Sequence, residues 1–348
     1  MPTIQAADIP DLVVSTLREL GRGKVTDNMS KYRRTIALKR IFRDNKMTVS
    51  DGYEMSFNVL ANTGRSARGV GLAERDSVSI SNVLTTGTMP WRHWTYNWGF
   101  DQREPIFNSG PSQIVDEIKY RRISELGGAI EYCENKLWRV QPTTNTVDFQ
   151  GIPYFVTKSA SEGFNGTVPS GHTAVAGINS TTYPRWANWT AQYTDITKAD
   201  LVRKMRKAAR MTYFEPLVED VASYNLGDDY GFYTNDSVYG YLEEMLEAQN
   251  ESLGSDIASM DGKVMFRRVP VVWVQELDDD TTNPVYGLNW GVLKAKRLRG
   301  WWMRETVIPN KSDQHTVTVT HTDSSMNMMC EDRRRQFVVA TGTTDLAV

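Results

Sequence analysis

Cysteine is nearly absent. Cys133 and Cys330 are the two in 348 residues, too few for a disulfide framework, so two reduced, partly buried thiols are expected. Histidine is scarce as well, limited to His93, His172, His315 and His321. No charge of one sign dominates: 40 basic against 42 acidic side chains leave a net charge of −2. That balance lacks the basic excess of a dedicated nucleic-acid binder, and any contact with nucleic acid is expected to be weak and local. No apolar run approaches the roughly 18 residues of a membrane span, so no membrane partner is expected. Met1-Pro-Thr-Ile-Gln5 has no basic segment leading into an apolar one, and no signal peptide is expected. The Asn-x-Ser/Thr triplets at Asn28, Asn165, Asn179, Asn188, Asn235, Asn250 and Asn310 then read as polar loops.

What is present is enough apolar residue, 40%, to bury a sizeable core and to argue against wholesale disorder. Asp8 to Leu20 reads as a short helix, capped by Asp8, with Pro10 early and Gly21 closing it. A basic arm follows, Lys31 through Arg43, best read as solvated or acid-paired. From Met47 the period changes to two. Tyr53, Met55, Phe57 and Val59 alternate with Glu54, Ser56 and Asn58, as in a strand. The Gly/Arg-rich stretch Asn62 to Gly71 interrupts it, and Val78-Ser-Ile80 resumes it. The pattern predicts a long hairpin. As one strand, Met47 to Leu60 would reach roughly 45 Å at ~3.3 Å per residue. A lone two-stranded ribbon is marginal in water, so it is expected to rest on something else, such as a neighbouring subunit. Trp94, Tyr96, Trp98 and Phe100 share one face of the next strand.

After Pro111 the spacing predicts one helix of about 27 residues, roughly 40 Å long. Ile114, Ile118, Leu126, Ile130, Cys133 and Leu137, with Ile123 nearby, form its apolar stripe, and Asp116, Glu117, Lys119, Arg121, Arg122, Glu125 and Glu131 its charged face. Gly127-Gly128 suggests a bend or a close crossing. From about Gln141 to Gly300 the chain reads as a mixed α/β region. Its expected elements are a strand at Ile152–Val156, a helix capped by Thr197, another over Ser237–Gln249, and strands at Val264–Arg267, Val271–Val274 and Val285–Leu293. The tail alternates again at Thr316–Thr320 and ends in Arg333-Arg-Arg-Gln-Phe-Val-Val339. Strands this late must pair with something distant, which makes the first region discontinuous.

Chemistry has no residue set to stand on. There is no Gly-x-Ser-x-Gly elbow, Walker A loop, Gly-x-Gly-x-x-Gly or His-Glu-x-x-His. His315 and His321 share a strand face but lack a third ligand at convincing spacing. Asp278-Asp-Asp280 reads as a solvated turn rather than a cation site, and Asp228-Asp229 as a loop. Trp301-Trp302 reads as a core or interface anchor. No cofactor, metal or catalytic residue is expected.

Taken in order, the elements resemble the major capsid proteins of tailed bacteriophages with the HK97 fold. Trp91-Arg-His-Trp-Thr-Tyr-Asn-Trp98, then Gln113-Ile-Val-Asp116 and Arg121-Arg122, look like that family's entry to its spine helix. Val285 to Leu293 followed by Arg299-Gly-Trp-Trp-Met303 looks like the return from the A domain, and His315 to Thr320 with Asp332-Arg-Arg-Arg335 like the closing P-domain strands. The resemblance implies an α+β fold with an N-terminal arm (1–46), an extended E-loop hairpin (47–98), a discontinuous P domain with the spine helix (99–140 and 301–348) and an A domain (141–300). It implies self-assembly through homo-hexamers and homo-pentamers into an icosahedral shell around double-stranded DNA. The expected location is the virion capsid, assembled in the host cytoplasm, with a portal as partner. Few residues precede the hairpin, so a separate scaffolding protein is expected. An encapsulin-like nanocompartment shell, or a tail or head-completion protein, is the alternative. Inter-subunit contact is expected between Arg65, Arg68 and Arg75 at the hairpin tip and Asp116, Glu117 or Glu125 on a neighbour's spine helix.

Overall fold

A computed structural model describes residues 35–43, 47–60, 69, 71–72, 83–103, 111–213, 229–250, 264–267, 269–308 and 316–346. Its contacts divide these residues into two compact units, one built from His93–Cys133 with Gly300–Ser325, the other from Ile36–Arg92, Glu134–Arg299 and Met326–Val348. The helix expected at Asp8–Leu20, the return segment Val78–Ile80 and His315 lie outside the described residues.

The larger unit is organised by a seven-stranded mixed sheet. Its strands are β5 (Gly163–Gly166), β6 (Asn188–Gln192), β7 (Tyr230–Thr234), β8 (Met265–Phe266), β9 (Val269–Trp273), β10 (Val285–Asn289) and β14 (Phe337–Ala340), in the spatial order β5-β6-β14-β10-β7-β9-β8. The central strands are short, apolar and buried on both faces, β10 and β14 wholly so, which is why they read as continuous apolar runs rather than as alternation. One face carries Phe232, Val271, Val285, Phe337 and Val339 in a single cluster with Leu201, Met205 and Ala208 of one helix and Val238 and Leu242 of another. Those helices are the ones expected from sequence: Arg203–Met211, entered through a π-helical turn at Lys198–Val202, and Asp236–Asn250. The Thr197 hydroxyl accepts the Asp200 N–H, as the capping pattern predicts. On the opposite face Trp138 packs on Tyr233 and Tyr286, with ring centroids 5.5 and 6.1 Å away. Gly287 is required in β10. A Cβ there would fall 2.2 Å from the Phe337 ring that crosses it.

A helix at Ile36–Arg43 (α1) ends the basic arm. It buries Ala37, Leu38 and Ile41, and Arg40 pairs with Asp229, so this part of the arm is acid-paired. The N-terminal N–H groups of Ala37 and Leu38 both donate to the Glu134 carboxylate at 2.9 Å, and Trp138 Nε1 donates to it as well. A helix start normally satisfies its orphan donors locally; here the cap is borrowed from 97 residues downstream. Burial pushes the Glu134 carboxyl up from its ordinary range, and the three donors pull it back.

The sequence differs from the structure at several points. The strand expected from Met47 to Leu60 is broken: β1 (Met47–Ser50) pairs in parallel with β11 (Leu293–Leu298), Gly52 turns the chain at φ +105°, and β2 (Glu54–Leu60) starts afresh. β2 pairs antiparallel with β3 (Leu84–Pro90) over seven residues. The alternation is real, since Met55 and Met89 are buried while Glu54, Ser56 and Asn58 are exposed. The root of this hairpin rests on its own chain. Thr88 N–H donates to the Ala176 carbonyl at 2.9 Å, and the Phe57 ring lies across Gly87 and 6.0 Å from Trp186.

Ile152–Phe155 is a four-residue helix, not a strand, because Pro153 sits in its first turn and Gly151 abuts the end of the long helix. A Cβ on Gly151 would meet the Arg139, Lys136 and Leu137 carbonyls at 2.3 to 2.7 Å. Val285–Leu293 is two strands, β10 and the start of β11, separated by a turn at Trp290. Arg333–Arg335 is a 3-10 turn, capped by the Asp332 side chain, before β14 begins.

The smaller unit contains β4 (Arg92–Asp101), which pairs with the first half of β13 (Val317–Cys330); β12 (Arg304–Ile308) pairs with that half from the other side, Glu305 opposite Thr322 and Val307 opposite Thr320. The Trp94, Tyr96 and Trp98 side chains are half-buried on one face of β4, as the alternation predicts, and Trp302 meets Trp94 edge-on at 6.2 Å. The long helix, α2, runs unbroken over Pro111–Leu137, 27 residues.

Candidate functional site

The long helix is where the sequence reading needs most correction. Ala129, Cys133 and Leu137 are buried, but Ile123 and Ile130 are exposed. At 100° per residue, Tyr120, Ile123, Gly127 and Ile130 fall on one stripe beside the buried one. Tyr120, Ile123 and Ile130 are 39 to 50% exposed, too much apolar surface in a row to be incidental. Gly127 and Gly128 are not sites of close crossing within the chain, since a Cβ on either would meet nothing within 4 Å.

Polar groups frame this stripe. Arg121 reaches the Gly99 carbonyl, and Arg122 pairs with Glu305 on β12. Every residue of β12 is exposed, including Val307 and Ile308, and Trp301 is exposed beneath Arg304, whose guanidinium lies 4.9 Å from its ring centroid. Of the contact residues expected from sequence, Glu125 is exposed on α2. Asp116 and Glu117 lie in the first half of that helix, with their side chains outside the described residues. Arg65, Arg68 and Arg75 also lie outside them.

The charged motifs set aside as loops are mostly structural. Asp278 accepts the Trp273 indole N–H and the Asp236 N–H, and Asp279 pairs with Arg139 at 2.8 Å. Asp280 is 3% exposed and pairs with the buried Lys158 at 2.5 Å. Asp278 and Asp279 stay exposed, as expected of a solvated turn, and Asp280 is the member withdrawn from solvent. Lys158 also donates to Thr282 Oγ1 and to the Thr344 carbonyl, both at 2.8 Å, which ties the C-terminal segment down. His172 meets the Gln141 carbonyl, and His93 meets the Ser325 hydroxyl, so both act as structural hydrogen-bonding groups.

Asp345 shares this cluster with Lys158, Asp280 and Tyr286, two carboxylates facing one ammonium. Burial, opposed by Lys158 and reinforced by Asp280, raises the Asp345 carboxyl to about 6. A carboxyl whose folded pKa is raised stabilises the fold below its unfolded value, and that contribution is lost as pH rises to about 6. Asp345→Asn should therefore melt at a higher temperature than the parent chain above pH 6 and at the same temperature below about pH 4. A difference in melting temperature that stays constant from acid to neutral pH would contradict this assignment.

Arg333 was missed altogether. It is wholly buried, and its guanidinium donates to the carbonyls of Phe155, Thr167, Trp186 and Gly166 at 2.7 to 2.9 Å. It also reaches Thr157 Oγ1 and Asn188 Oδ1. Burial lowers its pKa to about 10, still charged at neutral pH. No carboxylate pairs with it among the described residues; carbonyl dipoles replace the counter-ion.

A cleft of about 220 Å³ lies at the hairpin root, lined by Thr88, Arg92, Asn145, Gln150 and Tyr154 among others. Among the described residues, no group of three or more His, Cys, Asp or Glu is placed to hold a metal ion. No helix among them is long and apolar enough to cross a membrane.

Known proteins match this chain in structure rather than in sequence. No family model matches it, and neither does any curated protein. The capsid asymmetric unit of cyanophage A-1(L) superposes with a TM-score of 0.63 at 14% identity, covering 92% of this chain and 97% of that one. The capsid of Myoviridae phage XM1 gives 0.52 at 12% identity, covering 97% and 99%. The SrpI encapsulin of Synechococcus elongatus PCC 7942 gives 0.50 at 9% identity, covering 99% and 97%. At such identities the likeness concerns architecture, and it covers more than nine-tenths of each chain. The chain has the HK97-type fold of tailed-phage capsid proteins.

Proposed function

We propose that this chain is the major capsid protein of a tailed bacteriophage, assembling through hexamers and pentamers into an icosahedral shell around double-stranded DNA. The observation that carries this reading is the match to a phage capsid subunit over 92% of this chain and 97% of that one. The exposed apolar stripe on α2 and the fully exposed β12 support it, as surfaces that one subunit leaves uncovered. In this reading residues 1–46 are the N-terminal arm, 47–98 the E-loop, 99–140 with 301–348 the P domain, and 141–300 the A domain. A separate scaffolding protein and a portal complete the assembly, which takes place in the host cytoplasm and ends in the virion.

The E-loop of one subunit lies over the spine helix of the next. Arg65, Arg68 and Arg75 pair there with Asp116, Glu117 or Glu125. Exposed pairs contribute about 0–1 kcal/mol each, so repetition and buried apolar area hold the shell. Arg65→Glu with Arg68→Glu should block shell formation while leaving the subunit's melting temperature unchanged. Normal shells from the double variant would remove the tip from the contact.

An encapsulin-type shell is the second reading, favoured by the match to SrpI at a TM-score of 0.50. Nuclease-protected DNA inside purified particles supports the phage reading. A co-purified protein cargo in its place supports the other.

A further inference from the structure

The helix Arg203–Met211, here α4, turns Met205 and Ala208 into the core and leaves Arg203, Arg206, Lys207 and Arg210 exposed. At 100° per residue those four cations share a sector of about 100°. Lys207 pairs with Glu162, and Lys204 beside them with Asp200. Among the described residues, Arg203, Arg206 and Arg210 make no ion pair. A fourth arginine joins them from another element: Arg267, in the turn between β8 and β9, places its guanidinium 3.5 Å from the Arg206 carbonyl. Its backbone has a left-handed φ of +48°, which costs an L-residue energy. In a chain with a net charge of −2, four exposed arginines that make no ion pair among the described residues are a local segregation of charge.

We propose that this face, Arg203, Arg206, Arg210 and Arg267, binds the phosphate backbone of duplex DNA without reading its sequence. The proposal deepens the shell reading and rests on it for the presence of DNA. Arg203 to Arg210 spans about 10 Å along the helix, and phosphates of one strand advance by ~3.4 Å per nucleotide along the duplex axis. The row therefore spans about three phosphate-to-phosphate steps of one strand. Guanidinium groups suit this partner because they fork onto phosphate oxygens and stay charged. The helix Arg203–Met211 itself carries no aromatic side chain to stack on unstacked bases, and an acidic protein segment has no fixed charge spacing to match.

The test uses the full-length, unassembled chain and a short fluorescent duplex of mixed sequence, with anisotropy read across a salt series. Each phosphate neutralised contributes about −0.9 to the slope of log K against log salt. The expected parent slope is about −3, and Arg206→Gln with Arg210→Gln should reduce its size by about 2. Arg299→Gln, an exposed cation paired with Asp51 elsewhere in the same unit, should leave it unchanged. An unaltered slope in the double variant overturns the proposal. So does polyglutamate competing as well as unlabelled duplex, which reassigns the face to an acidic protein. Imaging the same preparations after assembly separates the two failures: shells without slope loss count against the face alone, and absence of shells from the parent chain counts against the shell reading.

Discussion

Arg333→Met should cost the larger unit more than about 4 kcal/mol of stability, enough to prevent most of the chain from folding at 37 °C. Three buried carbonyls and one partly buried carbonyl lose their donors at once, and each orphaned buried acceptor costs about 1–3 kcal/mol. Typical domains are stable by only about 5–15 kcal/mol. Removing the buried charge returns part of this loss, since an ionised group in a low-dielectric interior is itself expensive. The return is incomplete because the carbonyls come from three separate segments that converge on the one guanidinium. Arg333→Lys keeps the charge but replaces a planar fork with a single ammonium, and should still lose more than half as much. Urea denaturation of the unassembled chain checks both. An unfolding free energy for the methionine variant within about 1 kcal/mol of the parent's would mean that water or neighbouring side chains replace the guanidinium.

Ile123→Lys with Ile130→Glu should abolish shell assembly without unfolding the subunit. Both side chains are exposed on α2, at 50 and 39%, so each substitution should shift stability by about 0.5 kcal/mol or less. The opposite charges leave net charge unchanged, which removes general repulsion as an explanation. Burying the exposed half of each isoleucine against a neighbouring copy contributes about 1 kcal/mol, and the loss recurs at every subunit of a closed shell. Sedimentation velocity should show the variant as free subunits or small oligomers under conditions where the parent forms particles. Particles of normal size and yield would place the stripe outside the interface.

The order of elements was legible in the sequence, and with it the fold. The 27-residue helix, the Thr197 cap, the alternation of β2 and the aromatic face of β4 all follow from period and capping chemistry. The breaks were less legible. Gly52 does not announce a change of sheet, and Ile152-Pro-Tyr-Phe-Val156 has strand composition but folds against the end of a helix that only tertiary packing supplies. The long helix misled for a related reason. Ile123 and Ile130 fit an apolar stripe, and periodicity cannot tell a face buried within a subunit from one left uncovered. Glu134 and Arg333 carry no local sign of their burial, since their partners are backbone groups from distant segments. The Asp332 cap on the turn at Arg333 was the one local signal nearby, and it locates the turn without indicating its burial.

The most direct test of the account is negative-stain electron microscopy of the full chain, expressed alone and with a co-expressed scaffolding protein. The account predicts closed shells, or hexameric and pentameric capsomers, in at least one of the two preparations. A uniform small oligomer in both would contradict it.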